Sequence, residues 1–170
     1  ILVGVINESN VAGAFGANFS EGHISVLYKK KDRDDPRNYR PITLLNGDFK
    51  IMQRVLAARM NVAVRQFVSP CQNGFVPDGF IAENTMLLNL IPAHIEEEDE
   101  AAYFIFLDME KAFDKCSWDF LIDGLHAIGF DDSFVDYIKL AYNYTTPPMR
   151  RMYANGHLGP KFSLASGVAQ

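Results

Sequence analysis

Polar and apolar positions along this chain recur with two periods, and each change of period marks an element. Residues 24–30 alternate with a period of two and end in lysines, which predicts a strand. Residues 39–44 predict a second strand facing the first, with Pro41 confining it to a sheet edge or a strand end, since proline has no ladder N–H. The polar stretch 31–37 between them, with Asp35-Pro36, reads as a turn. Asn46 or Asp48 then opens a helix to about residue 67, because Ile51, Met52, Val55, Leu56, Arg59 and Val62 fall on one helical stripe. A turn-rich stretch covers 69–79. Asn84, Leu87, Leu88, Ile91 and Ile95 mark another helix, which Pro92 is expected to kink or break. The acidic run 96–100 is expected to be a solvated loop.

Residues 102–108 are almost wholly apolar and aromatic up to Asp108, which predicts a buried strand with a carboxylate at its end. Ser117 caps a helix through Ile128, with Gly129 as its terminator. Asp132 or Ser133 opens one more, with Phe134, Tyr137, Ile138 and Ala141 on one face. Residues 149–154 and 157–164 flank Asn155-Gly156, a strong hairpin signal. This hairpin and the 102–108 strand are expected to share a sheet. Residues 1–22, with four glycines, yield no assignment. The mixed order of elements predicts an α+β fold without internal repeats.

Composition bounds the picture. At 170 residues and 48% hydrophobic, the chain suits one domain or a large piece of one, with enough apolar residues for a core. No uncharged apolar run approaches 18 residues, so no membrane association is expected. The expectation is a soluble internal segment of a longer protein. Cys71 and Cys116 fit no metal spacing and suggest a reducing compartment, and the four histidines show no ligand spacing. A net charge of −5 argues against nucleic acid, but the distribution of that charge argues for it. Residues 23–66 hold ten Lys and Arg against four Asp, 10 − 4 = +6, a candidate phosphate-facing surface.

Chemistry concentrates around Asp108. A carboxylate ending an apolar strand needs a compensating partner, most simply a metal ion, unless it caps the following turn. In nucleotidyl transfer two metals hold the attacking and leaving oxygens, and Mg²⁺ prefers hard oxygen ligands, so Asp108 with the Met109 carbonyl is a candidate ligand set. Phe113 is either an aromatic pressing on a nucleotide sugar or ordinary packing. Asp114 reads as structural, pairing with Lys111 or Lys115 or capping a helix, more than as a second ligand. Lys29 and Arg40 on two facing strands are the candidates for a triphosphate, the lysine as a point charge and the arginine as a fork. Lys30 and Lys31 are solvated or lie on template phosphates. Gln170 suits a nucleotide or a template base, and Gly167 would let backbone approach a duplex closely. No phosphate-cradling glycine loop, nucleophile elbow or His-Glu-x-x-His helix is present. A phosphohydrolase using Asp108 and Glu110 would leave Arg40 and the terminal motif unexplained.

Taken together these motifs resemble the reverse transcriptase of non-LTR (LINE-type) retrotransposons. Ile24-Ser25-Val26-Leu27-Tyr28-Lys29-Lys30-Lys31 is similar to its first fingers motif, and Asn38-Tyr39-Arg40-Pro41-Ile42-Thr43-Leu44-Leu45-Asn46 to its second. Gln72-Asn73-Gly74-Phe75-Val76-Pro77 follows. Phe106-Leu107-Asp108-Met109-Glu110-Lys111-Ala112-Phe113-Asp114 resembles the first catalytic palm strand, and Ser166-Gly167-Val168-Ala169-Gln170 the opening of the next palm motif. The resemblance implies a right-hand polymerase, with fingers over 1–100 and an incomplete palm over 101–170. It implies RNA-directed DNA synthesis from dNTPs on an RNA template, primed by target DNA, within the remainder of a retrotransposon polyprotein. Asp108 with the Met109 carbonyl would hold Mg²⁺, with Mn²⁺ as the alternative. Lys29, Arg40, Phe113 and Gln170 would contact the nucleotide, and Lys30, Gly74, Phe75 and Gly167 nucleic acid. The nucleus is the implied compartment, with a cytoplasmic ribonucleoprotein as the alternative. Asp78-Gly79 departs from the family's usual Gly-Arg. The paired aspartates are expected beyond Gln170, so the isolated chain is expected to be inactive. A non-catalytic, nucleic-acid- or protein-binding scaffold of the same descent is the other reading.

Overall fold

Four strands form one mixed sheet in the computed structural model, which describes residues 1–99, 101–143 and 146–168. In chain order they are β1 (Gly22–Tyr28), β2 (Tyr39–Leu45), β3 (Met149–Ala154) and β4 (His157–Ser163), arranged β2-β1-β3-β4. The helices are α1 (Leu2–Ala12), α2 (Gly47–Ala63), α3 (Ile81–Glu97), α4 (Trp118–Ile128) and α5 (Asp132–Ala141). The architecture is α+β, as the order of sequence patterns predicts.

The chain divides into two units, Ile1–Gln53 with Lys111–Gln170, and Arg54–Glu110. The first holds the whole sheet. β1 and β2 pair antiparallel, and β2 is an edge strand, so Pro41 costs no ladder bond that a neighbour needs. β3 and β4 form the hairpin around Asn155 and Gly156, whose φ values of 50° and 82° are those Asn-Gly turns require. Contrary to expectation, the hairpin shares its sheet with the N-terminal strands: β3 pairs parallel with β1 over Gly22–Ser25.

Capping explains the helix boundaries in this unit. The Ser117 side chain accepts from the Phe120 N–H at the start of α4, and Gly129 closes it in the left-handed conformation. Asp131, one residue before the expected caps, accepts from the Ser133 N–H at the start of α5. Its bonds to Ser133 hold its carboxyl below the usual carboxylate range. The core gathers Phe49, Met52, Trp118, Leu125, Val135, Ile138, Leu140 and Ala141. On α5 Ile138 and Ala141 are buried as predicted, while Val135 and Leu140 are inside where Phe134 and Tyr137 are expected, and these two are only half-buried. The unassigned N-terminus forms α1, closed by Gly13. Phe15, Phe19 and Phe49 form an aromatic cluster, with ring centroids 4.8–6.2 Å apart.

The second unit departs most from expectation. Residues 101–109 form no strand, and Tyr103 and Leu107 are 93% and 87% exposed. An apolar run becomes a strand only against a neighbour that accepts its ladder bonds, and no described strand pairs with it. The helix α3 passes through Pro92 without breaking. The proline forfeits one bond to the Leu88 carbonyl, and on a helix with no buried residue water can satisfy that oxygen. The acidic run starts as the last turn of α3 and leaves it at Glu98. On α2, Leu56 of the expected stripe is buried while Val55 and Val62 are exposed.

Candidate functional site

The β1–β2 register decides which way the predicted nucleotide ligands face. Leu27 lies opposite Arg40 and Tyr28 opposite Tyr39. The Lys29 N–H donates to the Asn38 carbonyl at 2.8 Å, carrying the ladder one pair further. With side chains alternating, Lys29 and Arg40 lie diagonally on one face, within reach of a shared ligand. Both are exposed, as is Lys30. The turn joining the strands is held by Asp35, which accepts from the Arg37 backbone and guanidinium at 2.9–3.1 Å. That arginine holds the Asp35 carboxyl below its ordinary range. Arg33 stacks 4.8 Å above the Tyr28 ring, which orders a second cation there.

The opposite face of the same sheet lines a cavity of about 330 Å³, walled by Ile24, Pro41, Thr43, Arg150, Asp114 and residues 163–168. Its far wall is knitted to the loop that follows the predicted palm motif. Val168 N–H donates to the Phe113 carbonyl at 3.0 Å and Gly167 N–H to the Cys116 carbonyl at 2.8 Å. Ser166 Oγ donates to the Asp114 carbonyl at 3.1 Å. Gly167 has φ +91°, and a Cβ there would stand 2.9 Å from the Asp114 oxygen. The close approach made by this glycine is thus to its own chain. Phe113 and Gly167 are brought together, whereas Lys29 and Arg40 point to the other side of the sheet. Gln170 lies outside the described residues.

Sequence reasoning misses Arg150. It is 4% exposed on β3, beside Gly22, where any side chain would press on its Cδ. Its Nη1 donates to the Ser20 and Met149 carbonyls at 2.8 and 2.9 Å, while its buried Nε has no partner among the described residues. Burial pushes its pKa down. A signal is present all the same: of two consecutive arginines in a strand, Arg150 and Arg151, alternation must turn one toward a covered face.

In the second unit, Asp108 and Met109 are exposed within the irregular 101–109 segment. Among the described residues no three or more His, Cys, Asp or Glu side chains gather as a metal site. Asp108 therefore contributes one carboxylate and the described residues do not complete a cation cage. Gly74 and Phe75 sit on a loop organised by buried Asn73, whose Nδ2 donates to Asn84 Oδ1 at 2.6 Å and Glu83 Oε2 at 3.4 Å. Arg65 Nε donates to the Pro77 carbonyl at 2.8 Å. Phe75 is 97% exposed with φ +61°. Asp78 also has positive φ, at 59°, and a Cβ on Gly79 would collide with the Asn73 carbonyl at 2.2 Å, so that glycine is required.

A family profile described as "Reverse transcriptase (RNA-dependent DNA polymerase)" matches residues 28–170. The chain is 30% identical over 138 residues, 81% of its length, to the transposon TX1 uncharacterized 149 kDa protein of Xenopus laevis. It is 32% identical over 135 residues, 79% of its length, to the retrovirus-related Pol polyprotein from type-2 retrotransposable element R2DM of Drosophila melanogaster. It is 27% identical over 146 residues, 86% of its length, to a Pol polyprotein from type-1 retrotransposable element R2 of Popillia japonica. It spans only 11%, 12% and 20% of those three relatives.

Proposed function

The chain belongs to the reverse transcriptase (RNA-dependent DNA polymerase) family, and from that premise we propose that it is part of the RNA-directed DNA polymerase of a LINE-type retrotransposon. The family match over residues 28–170 carries this reading, and the names of the relatives as retrotransposon Pol polyproteins support it. In this reading residues 1–100 belong to the fingers and 101–170 to the beginning of the palm. The template is RNA, the primer is target DNA, the substrates are dNTPs, and synthesis takes place in the nucleus as part of a larger polyprotein.

Lys29 and Arg40, diagonal on one exposed sheet face, take the phosphates of the nucleotide, and Lys30 those of the nucleic acid. Phe75 offers an exposed aromatic face to a base, Gly74 and Gly167 lie near nucleic acid, and Gln170 lies near the nucleotide, whereas Phe113, across the sheet from Lys29 and Arg40, does not share their nucleotide in this arrangement. Divalent metal ions, here Mg²⁺ or Mn²⁺, generally serve the family. Asp108 with the Met109 carbonyl is this chain's contribution to such a site, and the remaining ligands are not assembled among the described residues. The 170-residue chain alone is accordingly inactive.

The test is primer extension by a longer polypeptide containing this chain, with an RNA template and dNTPs. Asp108→Ala should cost roughly a thousandfold, several kcal/mol of lost charge stabilisation. Undiminished extension by Asp108→Ala would overturn the assignment. The absence of an assembled carboxylate cluster among the described residues favours one alternative, a non-catalytic scaffold that binds nucleic acid or protein. It would bind RNA in the same assay while wild type and variant alike fail to extend.

A further inference from the structure

Three consecutive carbonyls at the tip of the β1–β2 hairpin are each taken by a side chain. The Tyr28 hydroxyl donates to the Lys31 carbonyl, the Asn38 amide to the Asp32 carbonyl at 2.8 Å, and the Tyr39 hydroxyl to the Arg33 carbonyl at 2.8 Å. Arg33 in turn lies 4.8 Å over the Tyr28 ring. Tyr28 and Tyr39 are directly opposite in the ladder, with ring centroids 5.7 Å apart, and so stand on the face opposite Lys29 and Arg40. The tip is therefore drawn toward the tyrosine face. Lys31 takes a φ of +72° there, a conformation that costs a residue with a side chain and persists only where bonds hold it.

The charges on the tip give this tie a consequence. Asp32, Asp34 and Asp35 lie a few positions from the two cations assigned to the triphosphate. A loose turn would let those carboxylates swing onto Lys29 and Arg40 and compete with a phosphate for the same donors. In the tied turn they stay off both. Asp35 holds the Arg37 guanidinium at 2.9–3.1 Å, and Asp32 Oδ1 accepts from the Asp34 N–H at 3.0 Å. Among the described residues neither Lys29 nor Arg40 has an ion pair, and both remain exposed.

We propose that Tyr28 and Tyr39 are positioning residues for the nucleotide: their hydroxyls hold the hairpin tip back, so that Asp32 and Asp34 do not neutralise Lys29 and Arg40, which stay free for phosphate oxygens. This inference rests on the reading of Lys29 and Arg40 as triphosphate ligands. It adds two hydroxyls that act on the nucleotide only through the loop they hold.

The test measures dTTP binding at low salt by equilibrium dialysis, on a longer polypeptide containing this chain. Tyr28→Phe with Tyr39→Phe keeps both rings, removes both hydroxyls and should weaken binding about fivefold. Adding Asp32→Asn and Asp34→Asn should restore it to within about twofold of wild type, while those two changes alone should tighten binding by less than about twofold. A merely structural role for the hydroxyls gives no such rescue. Tyr39→Phe alone, with and without the two Asp→Asn changes, is read in the same way if the double tyrosine variant unfolds. Unchanged binding without the hydroxyls, or a loss that the Asp→Asn changes do not restore, would overturn the inference while Arg40→Ala still weakens dTTP. Wild-type dTTP affinity in Arg40→Ala, or no dTTP binding at all, would instead remove the nucleotide reading and this inference with it.

Discussion

The Trp118 indole N–H donates to the Gly167 carbonyl at 2.9 Å, joining the first turn of α4 to a residue 49 positions later. The indole is 1% exposed and lies 6.1 Å from the Tyr142 ring. One side chain therefore fills the core and satisfies the backbone of the cavity wall.

Trp118→Phe should lose that bond and leave a void, costing about 2–4 kcal/mol. Urea unfolding followed by Tyr fluorescence would measure it. A midpoint equal to wild type would show that the indole N–H contributes nothing.

Gly167→Ala forces a Cβ to within 2.9 Å of the Asp114 oxygen at a φ of +91°, and should destabilise by about 1–3 kcal/mol. Gly4→Ala is its control. Inside α1 nothing lies within 4 Å of the new methyl, so the same change should stabilise by about 0.5–1 kcal/mol. Thermal melts of the two variants should move in opposite directions.

Lys161 Nζ sits 2.7 Å from Glu21 Oε2, and this bond holds the Glu21 carboxyl below its ordinary 4.5. A depressed carboxylate stabilises the fold fully above its unfolded pKa, and that contribution disappears as pH falls through the lower folded value. The wild-type melting temperature should thus decline below about pH 4.5 more steeply than that of Glu21→Gln. Parallel declines would remove the ion pair from the account.

Arg40→Ala touches no ladder bond and changes an exposed side chain, so stability should stay within about 0.5 kcal/mol. Under the proposed function, RNA affinity of the longer polypeptide is unchanged or slightly lower while dNTP affinity falls about tenfold. Filter binding and steady-state KM for dNTP separate the two. Equal KM values would exclude Arg40 from the nucleotide.

Tyr103, Ile105, Phe106 and Leu107 together present an exposed apolar strip. Such strips associate, so the isolated chain should form concentration-dependent oligomers by light scattering, and Ile105→Lys with Leu107→Lys should reduce them. A monodisperse wild-type chain would contradict this.

Much of this architecture is legible in residue order, and the failures share a cause. β1, β2, the Asn155-Gly156 hairpin and the Ser117-to-Gly129 helix rest on local signals: alternation, caps and turn residues that act within a few positions. Whether residues 101–109 form a strand depends on a partner, and no period of their own can supply one. The burial of Arg150 is equally non-local, arising because Gly22 leaves room beside it across more than 120 residues. The penalty expected of Pro92 assumes a buried helix, and α3 buries nothing among its described residues. Alternation suffices to put Lys29 and Arg40 on facing strands. Their separation from the Phe113–Gly167 wall follows only once the sheet's two faces are known.

The parallel pairing of Gly22–Ser25 with β3 also sets a schedule. During synthesis the inner edge of β1 stays open until residue 153 has left the ribosome, roughly 125 residues later, or about 6–25 s at 5–20 residues per second. For that interval the β1–β2 hairpin is an unfinished sheet with a free edge, while the Arg54–Glu110 unit emerges and folds as an insertion. Chaperone demand in the cell should therefore peak before the last hairpin appears, and a ribosome stalled in the α3–α4 interval would present the most adhesive form of the chain.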